Sequence, residues 1–250
     1  MTNFEKLLIA KLNKKGYIYK DDFYQIARNF IEPNIAFDIL LAQGLPIFEY
    51  KNRIYLKTFF RSIKKEEFII LDLETNGNNP QNSQIIEIGA YKIKNFKIID
   101  TFCSLIYADF IPEYITKLTG IDKTILRNAP KERIVLTKFK EFLADNTIIA
   151  HNANFDYNYL SKSMEKVGIG TISNRVLCSI KLAERTLKSS KYGLVGLSCE
   201  LGFNIEQHHR ALNDAFATVN IFNKSLEKLP KNIVSVEKLI CFSKVAKRLV

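Results

Sequence analysis

The sequence has no apolar run long enough to span a membrane and no apolar leader at its start. Apolar runs such as 68–71 and 39–42 fall far short of the roughly 20 residues that a bilayer requires. Residues 1–15 are rich in lysine and lack an apolar stretch that ends in small residues, so no secretory signal is indicated. We therefore expect a protein that does not associate with membranes.

Cysteine is scarce, and its spacing excludes the common metal and redox motifs. The four cysteines are Cys103, Cys178, Cys199 and Cys241, and no two of them form a Cys-x-x-Cys pair. Neither a zinc knuckle nor a thioredoxin-like site is therefore predicted. We expect four reduced and mostly buried thiols in a cytoplasmic protein.

Charge is unevenly distributed along the 250 residues. The formal net charge is +11, of which residues 1–66 carry +5, residues 67–225 carry +2 and residues 226–250 carry +4. A basic excess favours a polyanionic partner such as nucleic acid, because bound phosphates release their counterions. A solvated, lysine-rich surface explains the same charge, so composition alone leaves both interpretations open.

Residues 1–62 have the pattern of a small separate domain. Apolar residues recur at helical spacing in three stretches, and two short apolar segments then flank Lys51-Asn52 as in a β-hairpin. Three helices followed by a hairpin resemble a winged helix in element order. Such a domain binds DNA, binds protein or only packs on its neighbour. Residues 43–48 also resemble peptides that dock on bacterial sliding clamps, but their place between a helix and a strand favours a structural role.

Residues 67–227 alternate strands and helices, which is typical of an α/β domain, and follow a charged linker at 61–67. We predict strands at 67–73, 84–93, 96–106, 146–150 and 174–178. We predict helices at 111–118, 122–127, 131–144, 154–167, 179–188, 193–202 and 210–227. The basic tail, residues 228–250, has an apolar stripe that predicts a helix from about 235 to 249, which either packs on the body or awaits a partner.

Two carboxylates end the first strand of this domain. Asp72 and Glu74 follow the apolar run 68–71, and side chains two apart on a strand point to the same face. Ligands of open α/β sheets bind at such carboxyl ends. Two neighbouring carboxylates repel each other unless a cation lies between them, and hard oxygen ligands select Mg²⁺ or Mn²⁺. Taken alone, the pair is equally consistent with two solvated acids.

Two further motifs carry acids at helix starts. Asp156 falls in the first turn of a helix that Asn152 or Asn154 can cap, where the helix dipole tolerates an anion. Asp214 lies one turn into the helix 210–227, and His209 precedes it by five residues in the connecting loop. In isolation, each is also explained as a capping or solvated side chain.

Together, the motifs resemble the DEDD superfamily of 3′→5′ exonucleases. The order is Asp-x-Glu, then His-Asn-x-x-Phe-Asp, then a histidine five residues before an aspartate, which is the pattern of the histidine subgroup. That subgroup includes the proofreading (epsilon) subunits of bacterial replicative polymerases. Residues 118–121 and 192–197 resemble its connecting segments. The resemblance covers 68–225 and implies a ribonuclease H-like mixed sheet flanked by helices.

The resemblance also implies a two-metal mechanism. Two divalent cations, Mg²⁺ or Mn²⁺, would be held by Asp72, Glu74, Asp156 and Asp214, with Asp72 between both ions. His209 would be the general base, because its spacing to Asp214 selects it over His208.

The substrate contacts that the resemblance implies are Leu73, Thr75, Asn76, His151, Asn152 and Phe155. The implied substrate is a single-stranded or frayed DNA 3′ end, and the implied role is proofreading beside a polymerase catalytic subunit or a sliding clamp. An RNA exonuclease of the RNase T or oligoribonuclease type uses the same site and is the alternative.

Overall fold

The computed structural model describes residues 2–249, and its first 60 residues form a unit with its own core. The elements are α1 (Asn3–Lys15), β1 (Tyr17–Tyr19), α2 (Lys20–Ala27), α3 (Pro33–Ala42), β2 (Ile47–Tyr50) and β3 (Arg53–Leu56), followed by a 3₁₀ turn (Lys57–Phe59). Thr2 and Glu5 form a capping box at the start of α1, and Gly16 ends that helix in the left-handed conformation. The predicted order of three helices and a hairpin is confirmed.

The hairpin belongs to a three-stranded antiparallel sheet in the order β1-β3-β2. Its turn residues Lys51 and Asn52 both have positive φ, which matches the twist of a tight two-residue turn. The apolar side of this sheet packs on the helices. Leu8, Phe23 and Leu40 of the helices are buried in the core that the two layers share. The opposite side faces solvent.

The larger part is a five-stranded mixed sheet flanked by helices. Its strands are β4 (Glu67–Thr75), β5 (Ile85–Lys94), β6 (Lys97–Leu105), β7 (Thr147–Ala150) and β8 (Val176–Cys178). Its helices are α4 (Glu113–Thr119), α5 (Lys123–Leu126), α6 (Glu132–Leu143), α7 (Ala153–Lys166), α8 (Ser179–Thr186), α9 (Leu194–Glu200), α10 (Ala211–Glu227) and α11 (Val236–Val245). The order is β6-β5-β4-β7-β8, with β5 antiparallel to both of its neighbours and β7 parallel to β4 and β8. The predicted strands are therefore all present.

The central strand β4 is buried on both faces, and its alternation decides what each face contacts. Ile69 and Leu71 pack with residues of α6 and α7. Phe68 and Ile70 pack on the other side against α8, α10 and α11. Asp72 and Glu74 continue the second set, because side chains two apart share a face. The strand therefore directs both carboxylates towards α10.

Two predicted segments differ from expectation. The charged linker is tied to the body, because Arg61 donates to Asp145 at 3.0 Å and the buried Glu66 accepts from Thr147 at 2.9 Å. The C-terminal helix ends at Val245 rather than near 249, since Ala246 is extended. Its apolar stripe packs against α8 and β8 within the core of the exonuclease domain, so of the two alternatives for the tail, packing on the body is the one observed.

The N-terminal unit is joined to the larger part through buried polar contacts. Glu5 accepts a hydrogen bond from Ser173 within the interface. Gln43 donates to Thr171 at 2.9 Å and accepts from Ser173 at 3.1 Å. Nearby, Leu45 is completely buried. The segment 43–48 therefore has the structural role that its position favoured.

The cysteines differ from the prediction of mostly buried thiols. Cys103 and Cys199 are exposed, and Cys178 and Cys241 are only partly buried. That prediction is wrong because Cys103 lies on β6, an edge strand with one exposed face. Across residues 2–249, none of the helices has the length and apolar character needed to cross a bilayer.

Candidate active site

Three carboxylates meet where β4 passes under α10. Oxygen atoms of Asp72, Glu74 and Asp214 all lie within 4.8 Å of one another. Glu74 and Asp214 are buried, while Asp72 is partly exposed at the mouth of a crevice. The paired acids of the first motif and the acid of the third are thus brought together, as the sequence predicted.

Asp156 adds a fourth carboxylate to this group from helix α7. It lies in the first turn of α7 with 4% of its surface exposed, and among the neighbouring charges it has the largest effect on the pKa of Asp72. Asn152 occupies the N-cap position with φ 82°, but its side chain makes no capping hydrogen bond. The turn at Asn152 therefore aims α7 at the site, and its amide stays available to the crevice that it lines.

Burial raises the pKa values of Asp72, Glu74 and Asp156, and repulsion from neighbouring carboxylates adds to the effect at Asp72 and Glu74. Burial is the main cause for Asp72, whose pKa is raised well above its usual range, and Asp156 and Glu74 add repulsion. Burial, followed by repulsion from Asp214, raises the pKa of Glu74 to about 8. Burial raises the pKa of Asp156 to about 7, against opposing backbone N–H groups of Asp156 and Leu73. These surroundings therefore disfavour the ionised carboxylates, and positive charge bound among them would offset that effect.

Two histidines in the loop before α10 contact Asp214 in different ways. The Nδ1 atom of His208 lies 2.9 Å from one carboxylate oxygen of Asp214. The backbone N–H of His209 donates to the other oxygen at 3.2 Å, and His209 has φ 66°. The two imidazole rings lie 3.7 Å apart, centroid to centroid. Burial lowers the pKa of His209, and the neighbouring His208 lowers it further.

The start of α10 is anchored on β5 by residues that the sequence reading missed. Glu87 is 1% exposed, accepts 2.7 and 3.2 Å hydrogen bonds from the guanidinium of Arg210, and accepts another from the backbone N–H of Ala211 at 2.9 Å. Next to it, a Cβ atom on Gly89 would lie only 2.2 Å from the backbone nitrogen of Leu212. Helix α10 therefore lies directly on the strand. The sequence feature that could have indicated this contact is a glutamate and a glycine within an otherwise apolar strand.

His151 lines the crevice, but both of its ring nitrogens are engaged within the protein. Nδ1 lies 2.9 Å from the hydroxyl of Ser179, and Nε2 lies 2.9 Å from the backbone oxygen of Tyr192. Burial lowers the pKa of this imidazole to about 4. The ring is therefore neutral near pH 7 and ties the loop before α7 to the loop before α9.

The remaining predicted contacts divide into two groups. Leu73, Asn152 and Phe155 line the crevice, together with Leu194, which the sequence reading placed in a connecting segment. Thr75 is buried and absent from the lining, and the amide of Asn76 is bonded to Phe110 and Gln84. Asn76 thus braces the loop after β4 rather than facing the crevice.

The donor set suits hard divalent cations. Asp72, Glu74 and Asp214 offer oxygen atoms close enough to share an ion, and Asp156 adds a carboxylate beside Asp72. All-oxygen sites favour Mg²⁺ or Mn²⁺, and the repulsion that raises the carboxyl pKa values would be relieved by positive charge. The residues present therefore fit the cations that the motifs imply.

The part of the chain that holds these carboxylates is similar to known proteins. A family model of the RNase T type, described as Exonuclease, matches residues 69–222, which include all of the carboxylates above. The chain belongs to this exonuclease family. This exonuclease domain accounts for the larger part of the chain, and the DEDD assignment made from the three motifs is confirmed.

The exonuclease domain is also similar to segments of bacterial polymerases. The chain is 43% identical over 176 residues to DNA polymerase III PolC-type of Caldanaerobacter subterraneus, and 37% identical over 172 residues to that of Clostridium perfringens. These alignments cover 69% and 67% of this chain and 12% of each relative. The chain thus spans about an eighth of the length of the curated relatives that it matches.

Solved structures show the same fold. Exonuclease I of E. coli, in complex with single-stranded DNA, aligns over 67% of this chain and 42% of its own, with a TM-score of 0.60 and 16% identity. Exonuclease X with 5′-overhanging duplex DNA aligns over 70% of this chain and 99% of its own, with a TM-score of 0.57 and 22% identity. The predicted ribonuclease H-like mixed sheet flanked by helices is confirmed.

Proposed function

We propose that this chain is a metal-dependent 3′→5′ exonuclease that releases nucleoside 5′-monophosphates from single-stranded or frayed DNA. We further propose that it proofreads beside a replicative polymerase. The observation that supports this best is the convergence of Asp72, Glu74, Asp156 and Asp214 in one crevice beside two histidines. The PolC-type relatives, which are DNA polymerases, support the choice of DNA.

The four acids would hold two divalent cations. Asp72 would contribute to both sites, because its oxygen atoms lie close to those of Glu74 and Asp214 and it is the acid on which Asp156 acts. When bound, the ions supply Lewis acidity and neutralise charge at the scissile phosphate. Glu87 and Arg210 orient Asp214 indirectly, because they fix the start of α10.

His209 would accept the proton of the attacking water. Its lowered pKa keeps the imidazole neutral near pH 7, so that a ring nitrogen is free to act as a base. His208 bonds to Asp214 through its side chain, and we propose that it orients that carboxylate. Because the two rings are in contact, His208 is the alternative base. Alanine variants of the two histidines distinguish these assignments.

The crevice would hold the 3′-terminal nucleotide. Phe155 is 37% exposed and stands beside Asn152 at the opening, where an aromatic ring can stack on a base. The backbone of 73–75 borders the carboxylates and would lie near the terminal sugar. The predicted contacts of His151, Thr75 and Asn76 remain predictions, and their engaged or buried side chains favour supporting roles.

One assay tests this function. The purified chain is incubated with matched DNA and RNA oligonucleotides labelled at the 5′ end, with Mg²⁺, with Mn²⁺ or with a chelator. We expect a ladder of 3′-shortened DNA that depends on either metal. Faster shortening of RNA would favour the RNase T-like alternative, and the absence of any ladder with both metals would refute the proposal.

The proposed partner is a polymerase catalytic subunit. Gel filtration of this chain with a PolC-type polymerase would show co-elution if the two associate. A sliding clamp is the alternative, but the segment 43–48 is an unfavourable docking peptide, because the side chain of Gln43 is engaged by Thr171 and Ser173. If a Gln43→Ala/Phe48→Ala variant binds the clamp as the wild type does, the clamp does not bind through this segment.

A further inference from the structure

The solvent face of the three-stranded sheet in the N-terminal unit is unusually aromatic. The register pairs Tyr17 with Tyr55 and Tyr55 with Phe48, which gives one row of three rings across the sheet. The next row of side chains points to the same face of the sheet. In this row, Arg53 lies between Tyr19 and Tyr50. We call these six residues the aromatic face.

The rings of the aromatic face contact one another and remain accessible. Phe48 and Tyr55 are stacked with centroids 5.2 Å apart, and Phe60 meets both rings edge-on. Tyr19 is 44% exposed, Tyr50 is 56% exposed and Phe60 is 65% exposed. The outer side of an antiparallel sheet is ordinarily polar, and a contiguous exposed apolar patch marks a binding surface.

Positive charge accompanies these rings. The guanidinium of Arg53 lies 4.3 Å from the ring centre of Tyr17 and 5.2 Å from that of Tyr19. Lys51 lies over the ring of Tyr50. A groove beside β1 is lined by Lys11, Lys14 and Lys15 together with Tyr17 and Tyr19. The acidic residue in its lining is Asp22.

We infer that the aromatic face binds single-stranded nucleic acid. Bases stack on tyrosine and phenylalanine rings and on arginine planes, and a lysine-lined groove alongside would follow the phosphates. A protein partner is less favoured, because protein interfaces are depleted of lysine, whereas this face is bordered by it. The surface lies outside the crevice, so this is a second contact with a strand rather than part of the hydrolytic site.

The test measures binding by the whole chain without cleavage. A fluorescein-labelled oligothymidylate of about 16 nucleotides is titrated with protein in EDTA, and fluorescence anisotropy reports affinity. Tyr19→Ala and Tyr50→Ala should each weaken binding about 5- to 100-fold, the range for loss of one stacked base. Tyr19→Phe and Tyr50→Phe keep the ring and should bind as the wild type does.

Two controls localise the effect. Phe96→Ala removes an aromatic ring of similar exposure at the β5–β6 turn and should leave affinity unchanged. Asp72→Asn should abolish cleavage while it keeps the binding that depends on Tyr19 and Tyr50, so failure of the proposed hydrolysis and failure of this site are distinguishable. A Lys14→Gln/Lys15→Gln variant should lower the slope of log affinity against log salt by about 1.4, or roughly 0.7 per phosphate.

Photocrosslinking identifies the contact directly. An oligonucleotide that carries 5-iododeoxyuridine should crosslink to peptides containing β1 or β3 as well as to the crevice. Crosslinks confined to the crevice, or alanine variants that bind as tightly as the wild type, would overturn the inference. Absence of any binding at low salt would also overturn it and would leave the face to a protein partner.

Discussion

Arg175 and Glu237 form an ion pair that is almost completely buried, with 2% and 0% of their side chains exposed. Arg175 donates through Nε at 3.0 Å and through Nη2, and Thr58 of the N-terminal unit donates to the same glutamate at 2.8 Å. Three regions that are distant in sequence therefore meet at one carboxylate: the 3₁₀ turn after β3, the start of β8 and helix α11. The N-terminal unit and the C-terminal helix are thereby joined to the exonuclease domain.

Breaking this pair should destabilise the whole chain. Glu237→Ala leaves the guanidinium of Arg175 buried without its partner, and we expect the free energy of unfolding to fall by about 3–5 kcal/mol. Glu67→Ala is the matched control, because it breaks the exposed pair with Lys94 and should cost less than about 1 kcal/mol. Urea denaturation measures both. Equal losses in the two variants would contradict a special role for the buried pair.

Removing a carboxylate of the proposed metal site should separate activity from stability. Asp72→Asn and Asp214→Asn should abolish nuclease activity, because each takes a charged oxygen donor from the site. The metal-free variants should melt no lower than the wild type, because burial and like charges disfavour the ionised carboxylates. Thermal melting with and without Mn²⁺ measures this. Full activity in either variant would refute the site.

Stability and metal binding should depend on pH through the raised carboxyl pKa values. A carboxyl whose pKa is higher in the folded state stabilises the fold below its unfolded value and loses that contribution as pH rises through the folded value. With the pKa of Glu74 at about 8 and that of Asp156 at about 7, the metal-free protein should lose stability between about pH 4.5 and pH 8.

Metal should reverse this loss, since its binding displaces the protons. The melting temperature gained on adding Mn²⁺ should therefore grow from pH 6 to pH 8. Melting curves in EDTA and in Mn²⁺ across that range test the prediction. A gain that is constant with pH would show that these carboxyl groups are already ionised in the metal-free protein.

The two adjacent histidines should differ in their kinetic effect. His209→Ala should slow turnover by roughly 10²-fold or more, as expected for the loss of a general base. In the wild type, the rate should fall only at a pH below the unperturbed imidazole value of about 6.5, because burial lowers the pKa of His209 and protonation therefore occurs at lower pH. That limb should vanish in His209→Ala and persist in His208→Ala, and rates from pH 5 to 9 measure it. The opposite pattern would assign the base role to His208.

Gly89 should be intolerant of a side chain. In Gly89→Ala, the added methyl group would overlap the backbone of α10 at Ala211 and Leu212. We expect a loss of about 3 kcal/mol or more, together with a large loss of activity, because Asp214 moves with the helix. Gly193→Ala is a suitable stability control, since its φ is −68° and its Cβ would meet nothing within 4 Å. Comparable melting temperatures for the two variants would contradict this account.

Local pattern was sufficient for most of the fold. The apolar run before Asp72, the turn at Asn95 and the periodicity of α10 each depend on neighbours in sequence, and those elements lie within a few residues of their predicted bounds. The order of the motifs identified the family. Strand alternation accounts for the shared face of Asp72 and Glu74, whereas the family resemblance implied that Asp156 and Asp214 join them.

Contacts between residues that are far apart in the chain cannot be predicted from local sequence patterns. Glu237 falls in the predicted tail helix and Arg175 in the predicted strand 174–178, and nothing local indicates that these residues, 62 apart in sequence, meet. Glu87 and Gly89 likewise gained meaning only from the crossing of β5 by α10. Residues 61–67 were predicted to be a charged linker, whereas Thr147 and Arg61 hold Glu66 in a buried position.

The missing side chain at Gly89 determines the spacing between two layers of the molecule. The absence of a Cβ atom allows the backbone of Ala211 and Leu212 to approach β5 closely, and Asp214 lies in that same first turn of α10. A wider spacing would withdraw the third carboxylate from the other two, and misplacement of about 1 Å can cost about 10²-fold in rate. The position of Asp214 thus depends on a residue that bears no functional group, and we expect selection for nuclease activity to disfavour any other residue at position 89.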